Sequence, residues 1–65
     1  MINVGERIRC IRKSAEMTQA ELAVALGMDQ SEISRIERGE RKLSVHCLMQ
    51  IAATLSVPVQ KLLEA

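Results

Sequence analysis

The sequence has 65 residues, enough for one small domain over positions 1–65 and no more. It contains no Trp, Tyr or Phe, so aliphatic side chains must fill the core, which argues against binding single strands by aromatic stacking. The formal net charge of +1 selects no partner by itself, and a core this small is marginal without disulfides, metal or a second chain.

The spacing predicts a first helix from Val4 or Gly5 to about Ser14. Asn3 is its cap, with Glu6 three residues later. Val4, Ile8 and Ile11 point inward, while Arg7, Arg9, Cys10 and Lys13 point outward to varying degrees. Arg12 lies one turn from Ile8 on the same side, so it should be partly buried, and a buried guanidinium needs an acidic partner. Met17 should pack inward at the start of the next helix.

From Thr18 to Gly39 the chain reads as two short helices joined by a tight turn. Thr18 and Glu21 form a capping box, and Leu22, Ala23 and Leu26 give one apolar face. Gly27 stops this helix, because glycine takes positive φ without steric cost. Asp29 caps the next helix, with Glu32 as its box partner. Ile33 and Ile36 form its stripe, and Gly39 ends it. Two helices joined so tightly must cross steeply, and Ala23 supplies the small side chain that such a contact needs. This is a helix-turn-helix, whose second helix can enter a DNA major groove.

The polar loop GERKLS follows. Ser44 caps a fourth helix from Val45 to about Leu55, with Val45, Leu48, Ile51, Ala52 and Leu55 inward. Pro58 fits the first turn of a short fifth helix ending near Leu63. Val57 and Leu62 close the core, and Leu63 either joins them or is left over.

The stretch resembles the DNA-binding domains of the phage Cro and cI repressors, the Xre family. The matching residues are Gln19, Ala20, Glu21, Leu22, Ala23, Leu26 and Gly27, then Ile33, Ser34, Ile36, Glu37 and Gly39. The resemblance covers almost the whole chain. It implies an all-α, compact, five-helix, lambda-repressor-like domain. It also implies that Arg12 pairs with Glu37, and that Gln19 both contacts a phosphate and braces Gln30. Most relatives carry glycine where this chain has Glu16. Glu16 therefore accepts a small strain cost in a left-handed conformation or uses a different turn.

Gln30, Ser31, Ser34 and Arg35 lie opposite Ile33 and Ile36. Gln suits adenine, Arg suits guanine, and Ser suits either. Seen alone, a solvated helix face accounts for them better; placed after Gln19 and the turn, base reading does. Arg38, Arg41 and Lys42 are placed for phosphates, with a solvated loop as the alternative; Arg9 and Lys13 rank below them, with ordinary surface charge as the alternative. Glu32 would repel phosphate unless it accepts from cytosine, so capping is the simpler account. Eight of the nine basic residues lie at or before position 42, which suggests a DNA-facing part followed by one that packs on the core and on a partner.

Cys10, Cys47 and His46 make no metal-ligand pattern, so no metal or cofactor is expected, and reduced thiols fit a cytoplasmic protein. No signal peptide or membrane span is visible. No constellation resembles an active site, so an enzyme is not expected. The absence of a larger effector domain argues against a small-molecule ligand. Two functions remain. The first is a transcriptional regulator acting as a homodimer on a palindromic operator, either a phage repressor or, as the short C-terminal segment suggests, a restriction–modification controller. The second is an antitoxin-type module that sequesters a partner protein. Cys47, Met49, Ala53, Val59 and Leu63 are left over from the inward faces of the last two helices, and a self-interface would bury them.

Overall fold

The computed structural model describes residues 3–63. Five helices follow one another through short turns: α1 (Val4–Ser14), α2 (Gln19–Leu26), α3 (Gln30–Glu37), α4 (Val45–Thr54) and α5 (Val59–Leu63). No strand occurs among the described residues. This is the all-α architecture the sequence implies.

Local chemistry starts each helix. The Asn3 side chain accepts from the Glu6 N–H at 2.8 Å. Thr18 Oγ1 accepts from the Glu21 N–H at 3.0 Å, and Glu21 Oε1 accepts from the Thr18 N–H at 2.9 Å, closing the capping box. Those bonds hold the Glu21 carboxyl below the usual glutamate range. Ser44 Oγ accepts from the Cys47 N–H at 3.0 Å. Asp29 departs from this pattern. It has the extended backbone of a cap residue, but its side chain makes no capping bond. Its backbone carbonyl accepts from Glu32 and Ile33 instead, and the Glu32 carboxylate turns to Arg41, so the expected box does not form. Pro58 likewise sits just before α5 rather than within it, and its carbonyl accepts from the Lys61 N–H at 2.9 Å.

One device ends the first four helices. A residue with positive φ follows the last turn, and two N–H groups fold back on the orphan carbonyls, as in the Schellman motif. At α1 these are Glu16 to Lys13 and Met17 to Arg12, and at α4 they are Ser56 to Ala53 and Val57 to Ala52. Gly27 and Gly39 hold the turning position after α2 and α3, whereas Glu16 (φ 57°) and Ser56 (φ 58°) hold it elsewhere. Glu16 thus takes the left-handed conformation rather than a different turn, at about 1 kcal/mol relative to glycine.

Every helix sends a side chain to the centre: Ile8, Leu22, Ile33, Ile36, Ile51 and Leu62 are fully buried. Ala23, Ala52 and Leu55 complete this core, and Met17, Leu48 and Val57 pack against its edge. Val45 does not join them, being 72% exposed. It occupies the first position of α4, beyond the end of the stripe, and Leu43 packs against the core instead. Gly5 explains how closely α1 meets α3: a Cβ there would overlap the Ile36 carbonyl oxygen and stand 2.9 Å from that of Glu37.

Candidate nucleic-acid interface

The turn between α2 and α3 is fixed by Gly27, with φ of 67° and an N–H bonded to the Val24 carbonyl, and by the Met28 N–H on the Ala23 carbonyl. Ile33 and Ile36 anchor α3 inward. The opposite face leaves Gln30, Ser31 and Arg35 exposed, with Ser34 half-buried beside them.

Glu37, at the end of α3, is the hub beneath that face. Its carboxylate is almost fully buried and receives Arg12 through two bonds, Nε to Oε2 at 2.6 Å and Nη2 to Oε1 at 3.1 Å. The remaining Arg12 nitrogen, Nη1, donates to the Met17 carbonyl at 2.7 Å. Gln19 Nε2 donates to Glu37 Oε1 at 3.0 Å. Burial alone would raise the Glu37 carboxyl. The bonds from Arg12 and Gln19, with the charges of Arg12 and Arg9, outweigh it and hold the group below the ordinary glutamate range. Arg9, exposed on α1, makes the smallest of these contributions and is otherwise surface charge.

The Glu37 carboxylate thus ties α1, α2 and α3 together, and its partner Arg12 adds the α1–α2 link. The carboxylate also orients the surface. With its amide nitrogen held by Glu37, Gln19 presents Oε1 to Gln30, whose Nε2 donates across 3.5 Å. That distance is the long limit of a hydrogen bond, so Gln30 is guided rather than locked. A path of four side chains runs from a buried ion pair to a side chain that can read a base edge.

The basic residues beyond α3 are already engaged. Arg38 Nε and Nη2 grip Glu40 at 2.9 and 3.2 Å, and Arg38 Nη1 donates to Ser34 Oγ. This pairing lowers the Glu40 carboxyl and raises Arg38. Arg41 Nη1 lies 3.4 Å from Glu32 Oε2. Arg35 and Lys42 are exposed. Sequence reasoning missed both acidic partners. Glu40 lies two residues from Arg38 across the Gly39 turn, a proximity visible in the sequence, but the Glu32–Arg41 pair depends on the path of the loop.

The residues left for a self-interface divide into two groups. Met49 and Leu63 are each 57% exposed, and Ala53 is exposed too. Cys47 and Val59 are half-buried and pack on the chain's own core. No group of three metal-ligating side chains occurs among the described residues, and none of their helices is long and apolar enough to cross a membrane.

A family model described as helix-turn-helix matches residues 8–62. The restriction–modification controller C.AhdI from Aeromonas hydrophila is 30% identical, with a TM-score of 0.87 over 94% of this chain and 92% of that one. SinR, the master regulator for biofilm formation solved in complex with DNA, is 35% identical, with a TM-score of 0.86 over 94% of this chain and 98% of that one. The immunity repressor of Bacillus phage phi105 is 34% identical over 58 residues, 89% of this chain but 40% of the repressor. The chain spans about half or less of the length of several curated relatives it matches.

Proposed function

We propose that this chain, which belongs to the helix-turn-helix family, is a transcriptional regulator that inserts α3 into the major groove of double-stranded DNA as a homodimer on a palindromic operator. The observation that carries this reading is the hydrogen-bonded path from Glu37 through Gln19 to Gln30. It guides Gln30, the first side chain of the exposed face of α3, from the buried core, and a base-reading side chain needs such orientation. The DNA complex of SinR and the repressor role of the phi105 protein support it.

The roles follow from chemistry. Gln30 reads adenine and Arg35 reads guanine through paired bonds, and Ser31 and Ser34 serve either base. Ser34 does so with its hydroxyl hydrogen, since its oxygen accepts from Arg38. Gln19, Arg38, Arg41 and Lys42 take phosphates, which set register and supply salt-dependent affinity. Arg12 and Glu37 are structural.

The exposed Met49, Ala53 and Leu63 are the surface for the second copy, with Cys47 and Val59 at its border. A two-fold there would set two α3 helices about 34 Å apart, one DNA turn. Sedimentation tests this: the parent should be a dimer at micromolar concentration. Met49→Asp with Leu63→Asp should be a folded monomer with much poorer operator binding. A parent that is monomeric yet binds a palindrome tightly and without cooperativity would rule the dimer out.

A further inference from the structure

Two of the three basic side chains just beyond α3 are held by carboxylates. Arg38 presents the Nε–Nη2 edge of its guanidinium to both oxygens of Glu40. That edge is the one that grips a phosphate in the same two-bond geometry. Glu40 is not placed by chance: its N–H is bonded to the Arg35 carbonyl at 2.9 Å, and Gly39 makes the turn with φ of 73°. The carboxylate is therefore delivered to Arg38 by the backbone that ends α3. On the other side, Glu32, in the first turn of α3, faces Arg41.

We propose that Glu40 and Glu32 are internal phosphate mimics that occupy Arg38 and Arg41 until DNA phosphates displace them, and so set the protein's affinity for DNA. This rests on the DNA-binding reading above. Both pairs are solvent-exposed, each side chain showing 37% or more of its surface. Exposed ion pairs are weak, so a polyanion can open them. They are still a cost charged to every phosphate contact these arginines make, because each contact must first replace an existing one. Their carboxylates also remain beside the phosphates after exchange. Non-operator DNA is held almost wholly by phosphate contacts, whereas an operator adds base contacts. The two acids thus keep binding to arbitrary DNA weak in absolute terms. On this reading Arg35, Arg38, Arg41 and Lys42 can stand in close succession without making the chain a general polyanion binder.

The test measures binding of the parent, Glu40→Gln, Glu32→Gln and the double variant to a short duplex of mixed sequence across a range of salt. Glu16→Gln is the control, since it changes the charge equally and Glu16 pairs with neither arginine. Each of the first two changes should raise affinity about twofold to fivefold at low salt, and the double variant more. Each should steepen the salt dependence by about one counterion, because an arginine is freed to neutralise a phosphate. Glu16→Gln should do neither. Equal gains from all three single changes would show a bulk charge effect and overturn the proposal, as would an unchanged salt slope for Glu40→Gln. If the parent itself shows no salt-dependent duplex binding, the functional reading fails and this inference falls with it.

Discussion

Removing the Glu37 carboxylate tests the architecture at its most connected point. Glu37→Ala deletes the acceptors for Arg12 Nε, Arg12 Nη2 and Gln19 Nε2 at once. Arg12 keeps only the Met17 carbonyl, and its side chain is 8% exposed, so water cannot replace the loss without opening the fold. Stranding one partner of a buried pair costs about 3–5 kcal/mol. A chain of this length holds roughly 3–10 kcal/mol of total stability. The variant should therefore lose at least about 12 °C in Tm, at about 4 °C or more per kcal/mol for so small a domain, and it should be largely unfolded near body temperature. Circular dichroism melts measure this. Replacing both partners, Arg12→Met with Glu37→Met, should recover much of the loss, because no charge is then left buried. A melt of Glu37→Ala matching that of the parent would refute the reasoning, as would a double variant no more stable than the single.

The same carboxyl predicts an acid sensitivity. Its folded pKa is depressed below the ordinary 4.5, so its contribution is complete above that value and is lost as pH falls through the folded pKa. Melts below pH 4.5 should show the parent destabilising more steeply than the Arg12→Met, Glu37→Met variant. Gly5→Ala should cost about 1–3 kcal/mol or more by chemical denaturation, because its Cβ meets backbone at the end of α3 and not a flexible side chain. Glu16→Gly and Ser56→Gly should each stabilise by about 0.5–1 kcal/mol, since both residues hold left-handed turns; loss of stability in both would mean their side chains repay the strain.

What the sequence made legible was local. The cap bonds of Asn3, Thr18 and Ser44 span three residues, and Gly27 carries its own conformational signal. The helices could therefore be bounded to within a residue or so. The Ser56 turn escaped because serine carries no such signal, and Asp29 misled because a suitable cap residue need not use its side chain. Val45 misled for a different reason: helical spacing says which side a residue faces, not whether the core reaches that far along the helix. Gly5 could not be interpreted without α3, since its role is a contact with Ile36 and Glu37, far away in sequence. At the interface, the exposed face of α3 was legible from its complement, the Ile33–Ile36 stripe. The pairing of Arg38 and Arg41 was not, because it depends on how the chain turns after Gly39.

The central claim is that the exposed face of α3 reads base sequence. Selecting bound duplexes from a random pool, with the parent and with Arg35→Ala in parallel, tests it most directly. The parent should enrich one two-fold-symmetric sequence. Arg35→Ala should enrich the same sequence with one base pair relaxed in each half, at about 1–3 kcal/mol, while Lys42→Ala should weaken all sequences alike and flatten the salt slope. A pool that stays random after selection by the parent, or a motif that Arg35→Ala leaves unchanged at every position, would contradict the account.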